Sequence, residues 1–96
     1  MNINLTAIVT ATPGNAERVK DLLFQLVAGS TKEEACLKYD LHQSVDDENI
    51  FIFHEIWNDA EGLSLHNKQP HIKEFIEKSA AFLAAPLQVY QTNKIN

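Results

Sequence analysis

Ile50-Phe51-Ile52-Phe53-His54-Glu55-Ile56-Trp57-Asn58 decides the fold. Side chains alternate across a strand, so Phe51, Phe53, Glu55 and Trp57 share one face, and Ile50, Ile52, His54 and Ile56 share the other. Both faces are largely apolar, and both need cover. In a small chain the economical solution is helices on one side and a second copy on the other. A carboxylate set between aromatic rings on the helix side points to a pocket there rather than to plain core.

Working outward, Ile3, Leu5, Ala7, Val9 and Ala11 alternate with Asn4, Thr6, Ile8 and Thr10 and predict a first strand. Thr12-Pro13 reads as an N-cap followed by proline at the first helical position. Apolar Ala16, Val19, Leu22, Leu23, Leu26 and Val27 then recur at helical spacing, and Gly29 is the expected stop. Residues 30–35 form a polar connection. Cys36 to Val45 predicts a second strand with Leu37, Tyr39, Leu41 and Gln43 on one face. The acidic turn Asp46-Asp47-Glu48-Asn49 joins it to the strand at 50–58 as an antiparallel hairpin. Asn58-Asp59 can cap a short helix bearing Leu63 and His66 on one side. Pro70 opens a further helix, Pro86 ends it, and Leu87 to Thr92 form the last strand.

The order is β-α-β-β-α-β, a ferredoxin-like split βαβ of the α+β class, with an antiparallel sheet carrying its helices on one face. A single domain spanning residues 1–96 is expected. The other sheet face would carry Ile8, Ile50, Ile52, Ile56 and Tyr90, too apolar for water, which predicts a homodimer through the sheet.

Composition narrows the function. The net charge is -5 with no Lys/Arg cluster, so nucleic acid and anionic membranes are poor partners. No apolar run approaches the ~20 residues that span a bilayer. The single cysteine, Cys36, excludes an intrachain disulfide and fits a reducing cytoplasm. No glycine-rich phosphate loop, dinucleotide fingerprint or nucleophile elbow is present.

Several stretches, in order, carry a resemblance: Pro13-Gly14; Thr31-Lys32-Glu33-Glu34-Ala35-Cys36-Leu37-Lys38-Tyr39-Asp40-Leu41-His42; Phe53-His54-Glu55-Ile56-Trp57; His66; and Pro70-His71. With these the chain resembles the antibiotic biosynthesis monooxygenase superfamily. The resemblance implies a dimeric α+β barrel. It leaves the activity open among cofactor-free quinol and polyketide oxygenases, haem-degrading enzymes and an isomerase of a phosphorylated autoinducer. Glu33-Glu34-Ala35 replaces the usual Glu-Pro-Gly, and Ile56 stands where an Arg is frequent. The haem-degrading branch uses an Asn on the first strand, where this chain has Ala7, which argues against haem.

Candidate site residues follow. Trp57 is either a large core residue or a wall against which a planar substrate stacks, with Phe53 beside it and Leu63 on the neighbouring helix. His66 shares a face with Leu63 and points to the sheet; it can take a phenolic proton, hold a carbonyl oxygen, or merely bond nearby backbone. Glu55 must be paired, wet or protonated, and either braces the fold or orients His66. Tyr39 bonds Glu55 or a substrate oxygen. His71 is a candidate for the pocket lip. His42 and His54 face the other way and belong to the predicted interface. No metal is expected: His54 and Glu55 point apart, and His66 and His71 lack the i,i+4 spacing of a helical ligand pair. The expected activity is a cofactor-independent monooxygenase acting on a small electron-rich aromatic with dioxygen, His66, Glu55 and Tyr39 being catalytic and Trp57, Phe53, Leu63 and His71 binding substrate. A non-redox isomerase and a non-catalytic ligand-binding dimer are the alternatives.

Overall fold

The computed structural model describes residues 1–96. The chain runs β1 (Ile3–Thr10), α1 (Ala16–Ser30), β2 (Cys36–Gln43), β3 (Ile50–Trp57), α2 (Ala60–His66), α3 (Pro70–Ser79), a 3-10 turn (Ala80–Phe82) and β4 (Gln88–Thr92). The strands make one antiparallel sheet in the order β2-β3-β1-β4. This is the ferredoxin-like arrangement that the order of elements predicts.

The two-faced strand lies inside the sheet, as its apolar composition requires. β3 pairs with β1 through Leu5↔Glu55, Ala7↔Phe53 and Val9↔Phe51, and with β2 through Tyr39↔Glu55 and Leu41↔Phe53. These side chains share the helix side. There Val9, Phe51, Phe53 and Trp57 meet Val19, Leu23 and Leu26 of α1 and Phe75 of α3, all buried. Each such side chain contributes about 1.5–3 kcal/mol by leaving water. The opposite face carries Ile8, Ile50, Ile52 and Ile56, half-buried, with Tyr90 exposed. His42 and His54 also sit on it, their ring centroids 5.2 Å apart.

Four local expectations are corrected. Thr12-Pro13 does not start the helix. Gly14 adopts φ 85°, which a helix cannot accommodate, so Pro13-Gly14 form a turn and α1 starts after Asn15. Gly29 does not end α1 either; the helix continues to Ser30, and Thr31 Oγ1 donates to Val27 O at 2.9 Å. Leu37 leaves the face of Tyr39. A β-bulge between Cys36 and Lys38 inserts it as the extra residue, and it is 53% exposed. β2 stops at Gln43 rather than Val45.

The helix opened by Pro70 stops at Ser79, well before Pro86. The chain then tightens into the 3-10 turn and extends beside β1, where Ala84 N donates to Thr10 O at 2.8 Å and Leu83 bridges Ala11. The predicted cap of α2 forms: Asp59 Oδ1 accepts from Gly62 N at 2.7 Å. No helix is long and apolar enough to cross a membrane.

Candidate functional site

Between the helix side of the sheet and the α2–α3 layer lies a cavity of about 500 Å³. Leu5, Ala7 and Val9 of β1, Phe53 of β3, Leu63 of α2, and Ile72, Phe75 and Ile76 of α3 supply most of its wall. Leu87 and Val89 rim it at the edge strand β4 and remain 39% and 56% exposed. The helices do not reach over β4, so the hollow opens there through an apolar rim. Its polar groups are few: Tyr39, Glu55, His66, Asn67 and Gln91. An apolar chamber with a small number of converging polar groups is the usual form of a small-molecule site.

His66 is the last residue of α2 and only 4% exposed. Its Nδ1 lies 2.6 Å from Glu33 Oε2. The same oxygen lies 2.8 Å from His71 Nε2. A carboxylate oxygen only accepts, so each imidazole turns an N–H toward it. The other side of His66 packs on Trp57, with centroids 4.2 Å apart, and on Tyr39 at 5.7 Å. Burial pushes the His66 imidazole below its ordinary pKa, and the bond to Glu33 partly opposes this.

Glu55 is 7% exposed and accepts from Trp57 Nε1 at 2.9 Å. Burial pushes its carboxyl up, the indole bond pulls it down, and the charge of Glu33 adds to the rise. Tyr39 lies with its ring centroid 4.8 Å from Phe53. Its phenol is raised, first by burial and then by the charge of Glu55. A phenol so placed stays neutral and is a donor rather than a base.

The structure thus gathers Tyr39, Phe53, Glu55, Leu63 and His66 around one chamber. Two expectations change. Trp57 is 0% exposed and is not part of the cavity wall; its indole packs against His66 from within the core. The hydrogen-bond partner of His66 is Glu33, not Glu55. Glu33 stands inside the Thr31–His42 stretch that carries the resemblance but in a polar connection, where no periodicity marks it.

His71 also lies elsewhere than expected. It opens on a separate polar pocket of about 600 Å³, together with Glu33, Glu34, Asp59 and Glu61. From there it holds Glu33 from behind. Two glycines make this close packing feasible. A Cβ on Gly29 would stand 2.7 Å from His71 Cγ, and one on Gly62 would stand 2.2 Å from Ala35 Cβ, two residues beyond Glu33.

Glu33, His66 and His71 together are the group that offers ligands to a cation, with the three ligand atoms within 4.8 Å of one another. The helical spacing argument against such a cluster fails here. α2 ends at His66 and the chain turns before α3, so the two histidines do not belong to one helix. The contacts of 2.6 and 2.8 Å are hydrogen-bond lengths.

The family model described as "Antibiotic biosynthesis monooxygenase" matches residues 3–78. "Putative monooxygenase YcnE" of Bacillus subtilis is 34% identical over 90 residues, which cover 94% of this chain and 95% of that protein. The crystal structure of PA3566 from Pseudomonas aeruginosa superposes with a TM-score of 0.92 at 35% identity, covering 99% of this chain and 95% of that one. A conserved protein from Methanosarcina mazei reaches a TM-score of 0.90 at 23% identity, covering 99% and 94%, a likeness of fold.

Proposed function

The chain belongs to the antibiotic biosynthesis monooxygenase family, and we propose that it is a cofactor-free monooxygenase acting on a small electron-rich aromatic, of the hydroquinone type, inside the apolar cavity. One observation carries this reading: a buried imidazole, held by Glu33, stands at the margin of a largely apolar chamber of about 500 Å³.

His66 takes the phenolic proton. The resulting phenolate is electron-rich, and the dry wall formed by Phe53, Leu5, Ala7 and Phe75 gives its charge little solvation. It passes one electron to dioxygen, and the two radicals recombine at a ring carbon. For hydroquinone, one oxygen atom enters the ring and the other leaves as water. The product is a hydroxyquinone, and all electrons come from the substrate. Tyr39, whose phenol is raised and keeps its proton, donates to a substrate oxygen. Glu55 is braced by Trp57 and sets the polarity of the chamber floor. Leu63 and Phe53 fix the ring. His71 acts from the far side of Glu33.

The enzyme is a homodimer in this reading. Ile8, Ile50 and Ile52 present a half-buried apolar patch on the open sheet face, with Ile56 beyond His54 and Thr6 and with Tyr90 at its side. Sheet-to-sheet pairing removes it from water.

The test is dioxygen uptake by metal-free protein over a panel of hydroquinones and polycyclic phenols. Uptake that depends on His66 supports the proposal. Conversion that continues without oxygen identifies an isomerase. Binding with unchanged ligand recovered after long aerobic incubation identifies a binding protein, and either result sinks the oxygenase reading.

A further inference from the structure

We propose that Glu33 is a positioning residue that locks the tautomer of His66, holding its proton on Nδ1 and leaving Nε2 as the base edge toward the apolar cavity. A neutral histidine in water favours no such arrangement strongly; which nitrogen carries the proton is set by the bond the other makes. Here the bond is fixed. Glu33 Oε2 lies 2.6 Å from His66 Nδ1, and an acceptor at that distance keeps the proton there. Glu33 itself borders the polar pocket and not the apolar cavity, whereas His66 borders the cavity and not the polar pocket. The ring therefore spans the wall between the two, with its Nδ1 edge turned to the polar side.

The rest of the cluster keeps Glu33 in this role. His71 Nε2 donates to the same oxygen at 2.8 Å, so the half-buried carboxylate has two donors and is fixed in direction. Glycine at position 29 gives His71 the room to do so. The titratable groups around the His66 ring are Tyr39 on β2, Glu55 on β3, Glu33 on the α1–β2 connection and His71 on α3. Of the two carboxylates, Glu55 is engaged by Trp57, which leaves Glu33 as the acceptor for the imidazole. When Nε2 takes up a proton the ring becomes an imidazolium beside a carboxylate, which stabilises the charged form as it appears. The proton moves from the substrate hydroxyl to Nε2, and Nδ1–H stays in place.

This inference rests on the reading of His66 as a base, but its test does not need turnover. The measurement is long-range proton–nitrogen NMR of the histidine rings in the full-length protein near neutral pH. The expected spectrum shows His66 protonated at Nδ1 and His71 at Nε2. In Glu33→Gln, which keeps the size and removes the charge, the His66 titration midpoint should fall by about one pH unit or more, and the Nε2–H form should appear. A glutamate that only braced the α1–β2 connection, without bonding the ring, would move neither. The acid limb of dioxygen uptake with hydroquinone should shift with the NMR midpoint.

A wild-type His66 carrying its proton on Nε2 overturns the inference without any variant, so a Glu33→Gln protein that does not fold cannot rescue it. An unchanged midpoint in a folded variant overturns it as well. If the tautomer is as expected but no hydroquinone is oxidised, the oxygenase reading fails while the lock stands.

Discussion

Replacing Trp57 with phenylalanine isolates the link between the indole and Glu55. In the native protein Glu55 is buried, and its hydrogen bond comes from Trp57 Nε1 at 2.9 Å. Trp57→Phe leaves an aromatic ring in place but removes that donor. The loss has two parts. The smaller ring leaves a packing defect costing about 1–3 kcal/mol at any pH. The lost bond costs about 1.5–3 kcal/mol when the carboxylate is charged and about 0.5–1.5 when it is neutral. The sign of the pH dependence follows from Glu55. Its folded-state pKa is raised above the ordinary 4.5, so the native state holds the proton more tightly than the unfolded chain. The stability this group gives is complete below 4.5 and is lost as pH climbs through the folded value. Without the indole the folded value rises further, and the loss extends to higher pH. Urea unfolding followed by far-ultraviolet circular dichroism, at pH 4 and pH 7.5 and one fixed protein concentration, reads both parts. The variant should be destabilised at both pH values, and by about 1–2 kcal/mol more at pH 7.5. That excess amounts to roughly 1 M in urea midpoint. Equal destabilisation at the two pH values would refute the assignment of Trp57 as the brace of Glu55.

Three further outcomes follow from the same geometry. His66→Ala should lower kcat/KM for hydroquinone oxidation by about 10²-fold or more while the circular dichroism spectrum stays native; the wild-type acid limb should have its midpoint below 6.5, because burial lowers the imidazole pKa and the base form persists to lower pH. Gly29→Ala should destabilise the fold by about 1–3 kcal/mol and shift the ring signals of His71, since the new methyl would meet Cγ at 2.7 Å; thermal unfolding and NMR read the two effects. Ile52→Lys, opposite Ile8 in the middle of the open sheet face, should turn a dimer into a monomer in sedimentation velocity.

The fold was readable from periodicity because its two strongest signals are local. The alternation from Ile50 to Trp57 and the helical spacing from Ala16 to Val27 each report one element's own burial, and the short acidic turn at 46–49 forces the hairpin. Five of the residues expected at the site do line one cavity, because the side of a strand follows from parity and the side of α2 follows from Leu63 and His66. What escaped is long-range. Glu33 stands in a polar connection, where a carboxylate ordinarily faces water, and its contact with His66 spans 33 positions. His66 and His71 converge only because α2 ends and the chain turns before Pro70. The bulge that expels Leu37 from its expected face shifts a register, and no alternation pattern records it. Parity alone puts Trp57 on the helix side without saying whether it lies in core or in cavity wall; its complete burial and its bond to Glu55 put it in the core.

Proton abstraction by His66 requires a phenol to bind between Phe53 and the α2–α3 layer with its oxygen at the imidazole. A crystal structure of the protein soaked with a phenol that resists oxidation tests it most directly. The ring should lie inside the apolar cavity with its oxygen within hydrogen-bond distance of His66 Nε2. Phenol found in the polar pocket beside His71, or inside the cavity with its oxygen turned away from His66, would contradict it.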